Sequence, residues 1–308
     1  MKNGTIWADD CNRPIQAHGG CVLQCSGIYY WYGEHKGTEN LPGKRQVPFV
    51  GISCYSSSDL KNWHYEGLVL AAQSDDSKNL LHTSRVCERP KVLYNEKNHN
   101  FVLWLHLDNE DYSFARAGVA VSDSPTGPFT FLGARHVNCK DCRDMTLFQD
   151  TDGKAYLVHS SDWNKTLYIS QLDNNFTNVT GLYEKALIDQ EREAPALLFW
   201  KGKYYMVSSG CTGWQPNSAL YAVSNHLLCG WKLIDNPCSG ENYRRTFEGQ
   251  SAHIFVANGQ PVLLLDHWKP ENLQFSGYSM LPITINGDFM EIEWRNEFEL
   301  LPGYTSCM

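Results

Sequence analysis

The chain is poor in positive charge. Its 26 Lys and Arg face 34 Asp and Glu, for a formal net charge of −8. A phosphate backbone demands a basic surface, so nucleic acid is excluded as a partner. No apolar run approaches the roughly 18 residues of a membrane-spanning helix, so no membrane partner is expected. The first residues, Met1-Lys2-Asn3-Gly4-Thr5, have no apolar signal core. No linker rich in Pro, Gly or Ser divides the chain, and residues 1–308 read as one domain. Cys139-Lys140-Asp141-Cys142 has no second pair at zinc-finger spacing. That argues against zinc and leaves a local disulfide or two free thiols. Helical periodicity is weak from end to end.

Aromatic residues are plentiful: they make up 13% of the chain, against only 19% charged residues. Most such rings fill a core. Those exposed beside carboxylates suit a neutral polyhydroxylated ligand, whose C–H faces stack on rings. Eleven cysteines and sequons at Asn3, Asn164, Asn175 and Asn178 favour a secreted protein, its signal removed, with a cytoplasmic protein as the alternative.

One pattern recurs. A Gly or polar turn leads into an aromatic or apolar strand at Gly27–Tyr32, Asn98–Trp104, Gly153–Val158, Gly202–Val207 and Gly259–Leu265. A further strand follows each, at Val50–Tyr55, Ala117–Val121, Leu167–Ser170, Leu220–Val223 and Ser276–Met280. Trp63, Phe129, Phe176, Trp231 and Phe289 then mark another strand or its turn, and an apolar run precedes each Gly-led strand. About four short strands, repeated five times without a long helix, predict an all-β five-bladed propeller. The blades fall roughly at 10–75, 80–135, 140–185, 190–240 and 245–300. A β-sandwich pair would not explain the five-fold return of one strand order. The polar stretch from Gly37 to Pro48 reads as a long loop between the first two strands of blade one, and 301–308 as a tail.

In a propeller, polar residues just before each Gly-led hairpin converge although distant in sequence. Blade one offers Gln16-Ala17-His18-Gly19-Gly20, with Glu34-His35-Lys36 further on. The later blades offer Glu88-Arg89-Pro90, Arg143-Asp144-Met145, Arg192-Glu193-Ala194-Pro195 and Gly249-Gln250-Ser251. Four of the five carry a carboxylate or carboxamide in one register: Glu88, Asp144, Glu193 and Gln250. Clustered carboxylates raise one another's pKa, as general-acid chemistry needs, and flanking acids are the equipment of glycoside hydrolysis. The bland alternative pairs these acids with Arg85, Arg89, Arg143 and Arg192 across blades.

These stretches, with Tyr30-Trp31-Tyr32-Gly33-Glu34-His35-Lys36 and Ser209-Gly210-Cys211-Thr212-Gly213-Trp214, resemble glycoside hydrolase family 43. Its members are five-bladed propellers. The resemblance covers about residues 10 to 300. It is stronger to the exo-β-1,3-galactanase branch and to a sister branch active on galactan and arabinogalactan. It implies an inverting, exo-acting glycosidase that releases galactose from the β-1,3-galactan of arabinogalactan-type glycans, an oligo- or polysaccharide substrate. Glu193 matches the general acid. Most of the family places an aspartate base in blade one, but this chain has Ala17-His18-Gly19 there, a departure the galactanase branch shares. In that branch the glutamine matching Gln250 positions or activates the water, the alternative being a sugar-hydroxyl contact. Glu88 matches a residue that holds the sugar 2-hydroxyl and is the second candidate base. Glu34, Tyr112, Asp144, Asn164 and Thr212 match sugar-binding positions, and His18 and Trp214 complete the substrate-binding set. If Asn164 binds substrate, it should not be glycosylated.

No cofactor is required and no metal ligand is assigned. A structural calcium in the axial channel is the one metal the resemblance leaves open, with His18, His253 and His267 as its neighbours or as ordinary hydrogen-bonded histidines. Two alternative functions stand beside the galactanase: an α-L-arabinofuranosidase or other furanosidase of the same family, and an inactive, lectin-like galactose-binding propeller. The missing blade-one acid favours the latter, and the retained Glu193 and Glu88 oppose it.

Overall fold

A computed structural model describes residues 1–300; the stretch 301–308, expected to be a tail, lies outside the described residues. Blade one contains β1 (His18–Cys25), β2 (Ile28–Glu34), β3 (Gly51–Ser57) and β4 (His64–Ala71). Blade two contains β5 (Val86–Asn95), β6 (Asn100–Asp108), β7 (Arg116–Ser122) and β8 (Thr130–Arg135). Blade three contains β9 (Met145–Gln149), β10 (Ala155–Ser161), β11 (Thr166–Leu172) and β12 (Val179–Ala186). Blade four contains β13 (Arg192–Trp200), β14 (Lys203–Gly210), β15 (Leu220–Ser224) and β16 (Lys232–Leu233). The chain then passes through β17 (Cys238–Ser239) into β18 (Gln250–Ala257), β19 (Gln260–His267), β20 (Gly277–Asn286) and β21 (Phe289–Glu293). These last five form the fifth sheet, with β17 running parallel to β21 at its outer edge.

Each blade is an antiparallel meander, and the inner strands β1, β5, β9, β13 and β18 contact one another in a closed ring. The architecture is a five-bladed propeller, not two facing sheets. The Gly-led strands of the sequence pattern are the second strands of the blades. The stretch Gly37 to Pro48 therefore joins the second and third strands of blade one, not the first two, because β1 with its His18-Gly19-Gly20 start lies inside β2. A side chain on Gly20 would press on the Tyr32 carbonyl at 1.7 Å, so only glycine lets β1 lie this close to β2.

Apolar residues cluster between neighbouring sheets. Val22 and Trp31 of blade one meet Leu264, Tyr278 and Met280 of blade five, and four comparable clusters fill the other interblade gaps. Alternation along the strands puts one set of residues on each face, so every blade buries both of its faces. The ring closes with help from the N-terminus. Gly4 N–H donates to the Tyr278 carbonyl at 2.9 Å and Tyr278 N–H to the Thr5 carbonyl at 3.0 Å. Trp7 packs against Trp31 and Tyr278, at centroid distances of 5.9 and 5.7 Å. The Asn3 side chain is buried and donates to the Met280 and Arg295 carbonyls, so in the folded protein this sequon is closed to glycosylation.

Because Trp7 joins blades one and five, Trp7→Ala should destabilise the whole propeller by about 3–5 kcal/mol. Urea unfolding should show one transition at a lower midpoint; an unchanged midpoint would mean that the closure does not depend on this ring.

Candidate active site

Four of the inner strands lose register with their partners near their starts: between His18 and Cys21, Glu88 and Lys91, Glu193 and Ala196, and Ser251 and His253. In three of them the first shifted residue has a left-handed backbone: Gly19 at φ 58°, Arg89 at φ 54° and Ala194 at φ 51°. A bulge of this kind re-aims the preceding side chain and frees a backbone N–H. Each freed N–H donates to a carboxylate of the blade before. Gly19 donates to Asp266 at 3.0 Å, Arg89 to Glu34 at 3.0 Å and Ala194 to Asp144 at 3.1 Å. The blades are thus stitched by the same groups that make the site acidic.

The bulges surround a cleft of about 310 Å³, lined by Glu34, Glu88, Tyr112, Asp144, Asn164, Glu193, Trp214 and Gln250, together with Lys36, Arg89, His106, Arg143, Gly213 and Trp268. Eight of the ten residues expected in the site line it. His18 does not. It is fully buried, with Nδ1 at 3.2 Å from Asp266 and Nε2 at 3.0 Å from the Tyr278 hydroxyl, so it cannot touch a sugar. Thr212 does not line it either. Its hydroxyl donates to the Gln215 carbonyl at 2.5 Å and accepts from Asn217 at 2.8 Å, which ties it into its own loop.

The cleft carboxyl groups have opposite electrostatics. Burial and the neighbouring Asp144 push Glu193 up to about 8, against the weaker pull of Arg89, Cys211 and Gln250. Burial also works to raise Glu88, but the His106 imidazolium, Lys36 and Arg89 outweigh it and hold this acid down at about 2. His106 donates from Nε2 to Asp108 at 2.8 Å, and its Nδ1 stands 3.6 Å from Glu88, an ion-pair distance. Burial opposes its charge, yet the Asp108 and Glu88 carboxylates push it up to about 9. The Tyr112 hydroxyl donates to Glu88 at 3.2 Å. Glu34, which burial pushes up, is paired with Lys36 at 2.7 Å.

Gln250 is saturated. Its Nε2 donates to Glu193 at 3.1 Å and to the Ser209 hydroxyl at 3.0 Å. Its Oε1 accepts from Arg89 at 2.6 Å and from the Trp268 indole at 2.9 Å. Guanidinium and indole only donate, so the amide cannot be flipped.

A match to the family model of glycosyl hydrolases family 43 spans residues 21–257. The chain belongs to glycosyl hydrolase family 43. Among solved structures, a family 43 β-1,3-galactosidase bound to galactodeoxynojirimycin is 36% identical, with a TM-score of 0.91 over 97% of this chain and 100% of the other. A variant of the exo-β-1,3-galactanase of Phanerochaete chrysosporium, bound to β-1,3-galactotriose, is 32% identical, with a TM-score of 0.87 over 95% of this chain and 66% of that one. The exo-β-1,3-galactanase of Clostridium thermocellum is 34% identical, with a TM-score of 0.85 over 95% of this chain. The chain spans 64% of the length of that enzyme. No curated protein matches the chain in sequence.

In this family 43 chain the arginines divide their work. Among the arginines of the described residues, only Arg89 forms an ion pair with a cleft acid, Asp144, at 2.9 Å. Arg192 turns to the Ser208 hydroxyl and carbonyl, Arg143 to Asp141 and Asp108, and Arg85 to Asn109. Each of the axial histidines has a protein partner. His18 is engaged as above, His253 accepts from the Val22 N–H at 3.3 Å, and His267 is bonded to Ser279 at 2.7 Å. Near them the buried Lys91 ammonium donates to the Gly19 carbonyl at 2.6 Å, a positive charge of the chain's own beside the axis. Glu88, His106 and Asp144 each bring one possible ligand atom within 4.8 Å of the others, and in this arrangement Glu88 faces His106 and Asp144 faces the Arg89 guanidinium.

All ten described cysteines are unpaired, so of the two readings of Cys139 and Cys142 the structure has two thiols. Asn164 lines the cleft with its Oδ1 held by Ser160 at 2.9 Å; a glycan there would obstruct the cleft.

Two lining residues, His106 and Trp268, were missed by sequence reasoning. His106 stands opposite Glu88 across its hairpin, as Glu34, Ser209 and Asp266 stand opposite His18, Glu193 and Gln250. Counting back along each hairpin from its turn finds them only when the bulge is known. Trp268 follows β19 by one residue and carried no sequence signal of its own.

The His106 charge links stability to pH. A group whose pKa is raised in the folded state contributes most below its unfolded value, near 6.5, and loses that contribution as pH climbs to about 9. The stability difference between the protein and His106→Asn should therefore shrink between pH 6.5 and 9 in urea titrations. A difference that stays constant across that window would show that the imidazole is neutral.

Proposed function

We propose that this chain is an inverting, exo-acting glycosidase that releases terminal galactose from β-1,3-galactan, with Glu193 as general acid. The observation that carries the reading is the split between two cleft carboxyl groups. Glu193 keeps its proton to about pH 8, while Glu88 is ionised throughout the physiological range. One acid able to give a proton and one carboxylate able to take one is the arrangement of inverting hydrolysis. A passive sugar-binding site has no need of a carboxyl group held protonated. The β-1,3-galactosidase and galactanase names of the relatives favour galactose over an arabinofuranoside. The modest cleft volume suits one terminal sugar and its neighbour rather than a long groove.

Glu193 protonates the glycosidic oxygen as the bond to the anomeric carbon breaks. Water attacks from the opposite face and passes its proton to Glu88, assisted by the Tyr112 hydroxyl that orients this carboxylate. Gln250, with all four hydrogen-bonding positions occupied, acts as a positioning residue that holds Glu193 and Arg89 in place. Lys36 and Trp268 add a cation beside an aromatic face, at 5.8 Å from ring centre to ammonium, and Trp214 meets Trp268 edge-on at 5.4 Å. These rings form the apolar wall for the sugar's C–H face. Trp163, next to Asn164, is 76% exposed on a turn whose three residues, Asp162, Trp163 and Asn164, are all left-handed. Arg143 covers one ring face at 4.8 Å, which leaves the other for the leaving sugar.

Glu193→Gln should lower kcat by about 100- to 10,000-fold while leaving galactose binding intact, and the native enzyme's activity should fall as pH rises through about 8, where Glu193 loses its proton. An unchanged rate in that variant removes Glu193 from the mechanism. Hydrolysis of an aryl arabinofuranoside but not of β-1,3-galactobiose would overturn the substrate.

The base is tested separately. Azide should restore turnover of an aryl β-galactoside by Glu88→Ala, giving α-galactosyl azide, and should not restore it for Gln250→Ala. The reverse pattern would make Gln250 the water-activating group. For the platform, Trp163→Ala should raise KM on galactan oligosaccharides about fivefold with little change on an aryl galactoside, as read from initial rates.

A further inference from the structure

A second cleft of about 220 Å³ opens beside the first and shares Glu34, Lys36, Glu88 and Trp214 with it. It is built from the loop between β2 and β3, which brings Arg45 and Gln46, and from the approach to β5, which brings Arg85. None of the roles assigned above uses it. Its ion pairs leave one cation over. Glu34 is neutralised by Lys36 at 2.7 Å, Glu110 by Lys44, and Arg45 by Glu271 at 2.8 Å. Glu88 has Tyr112 and His106. Arg85 is left with neutral partners: NH1 donates to the Asn109 side-chain oxygen and Nε to the Asn79 carbonyl at 3.4 Å. No carboxylate is paired with it among the described residues. A half-buried guanidinium with donors to spare, in a cleft whose other charges are paired, is an anion site.

We infer that this cleft is a subsite for a second sugar unit bearing a carboxylate, a uronic acid, and that Arg85 is its anchor. The inference deepens the galactanase reading, because the two clefts are continuous through Glu88 and Trp214 and one branched oligosaccharide would occupy both. The anion comes with the sugar rather than from a free phosphate. The cleft is open and walled by Leu41, Val47, Pro48 and Phe49, a surface that suits a ring's C–H face, whereas a lone oxyanion would find only one cation there.

The test uses a β-1,3-galactan oligosaccharide with a glucuronic acid branch and the same oligosaccharide after carboxyl reduction to its neutral twin. Binding is measured by calorimetry on Glu193→Gln protein, so that turnover does not interfere. The acidic form should bind about tenfold more tightly than the reduced form at low salt, and the gap should close in 0.5 M salt. Adding Arg85→Gln should remove the preference without changing affinity for the neutral twin; Arg85→Lys should recover part of it. Equal affinity for the two sugars overturns the inference, as does an Arg85→Gln variant that weakens both alike. Inorganic phosphate at the same concentration should not displace the acidic sugar; if it does, the site is a plain anion site and the inference fails. The galactanase reading fails on a different measurement, the absence of hydrolysis of unbranched β-1,3-galactobiose by the native enzyme.

Discussion

Much of this molecule follows from one contact, a carboxylate of one blade accepting the backbone N–H freed by a bulge in the next. A bulge leaves an amide without its ladder partner, and a buried orphan donor is costly. Asp266, Glu34 and Asp144 remove that cost at Gly19, Arg89 and Ala194. Each also ties two blades together near the axis, where the sheets themselves share no ladder. The left-handed residue then turns the side chain before it: Glu88 and Glu193 are aimed into the cleft because Arg89 and Ala194 bend the strand behind them. Fold closure and site construction are therefore one problem with one solution. The strained conformation of Arg89, a bulky residue at φ 54°, persists because its backbone and side chain are both held by neighbouring blades.

Arg89 is the counterweight. Its guanidinium reaches the Ser251 carbonyl at 3.1 Å, Gln250 Oε1 at 2.6 Å and Asp144 at 2.9 Å, so blade two is bonded to blades five and three at once. Without it, the acids of this ring would repel one another in a poorly solvated space. With it, one carboxylate can stay ionised while a neighbour stays protonated. The split between Glu88 and Glu193 thus arises from placement: Glu88 faces His106 and Lys36, whereas Glu193 faces Asp144 and the neutral Gln250 amide.

The propeller was legible because its signal is repetitive and local. Alternating apolar residues after a Gly turn specify a strand with no reference to the rest of the chain, and five returns of the same order specify the ring. Glu88, Asp144, Glu193 and Gln250 were legible for the same reason, standing at one register of the repeat. What stayed hidden depends on a shift of register. His18 shares the motif position of Glu88 and Glu193, yet the two glycines after it let β1 sink against β2, and its ring is enclosed by Asp266, Tyr278 and Trp268. Thr212 is two residues from the cleft-lining Trp214, and a local turn with Gln215 decides that its hydroxyl faces inward to its own loop. His106 and Trp268 sit where a hairpin's far end returns to the axis, which no local pattern announces.

The absent blade-one aspartate also gains a physical explanation. At that position the chain has Gly19, whose missing side chain leaves room for Glu34: a Cβ there would lie 2.4 Å from the Glu34 carboxylate. An acid one residue earlier, at His18, would lie against the buried Asp266 carboxylate. The blade-one acid is therefore supplied from the second strand as Glu34, and Glu34 is consumed by Arg89 N–H and Lys36. The Gln250 carbonyl oxygen already accepts from a guanidinium and an indole. Of the cleft carboxylates, Asp144 has an oxygen shared between Arg89 and Ala194 N–H. Glu88 is held by Tyr112 and His106, which orient it without covering it completely.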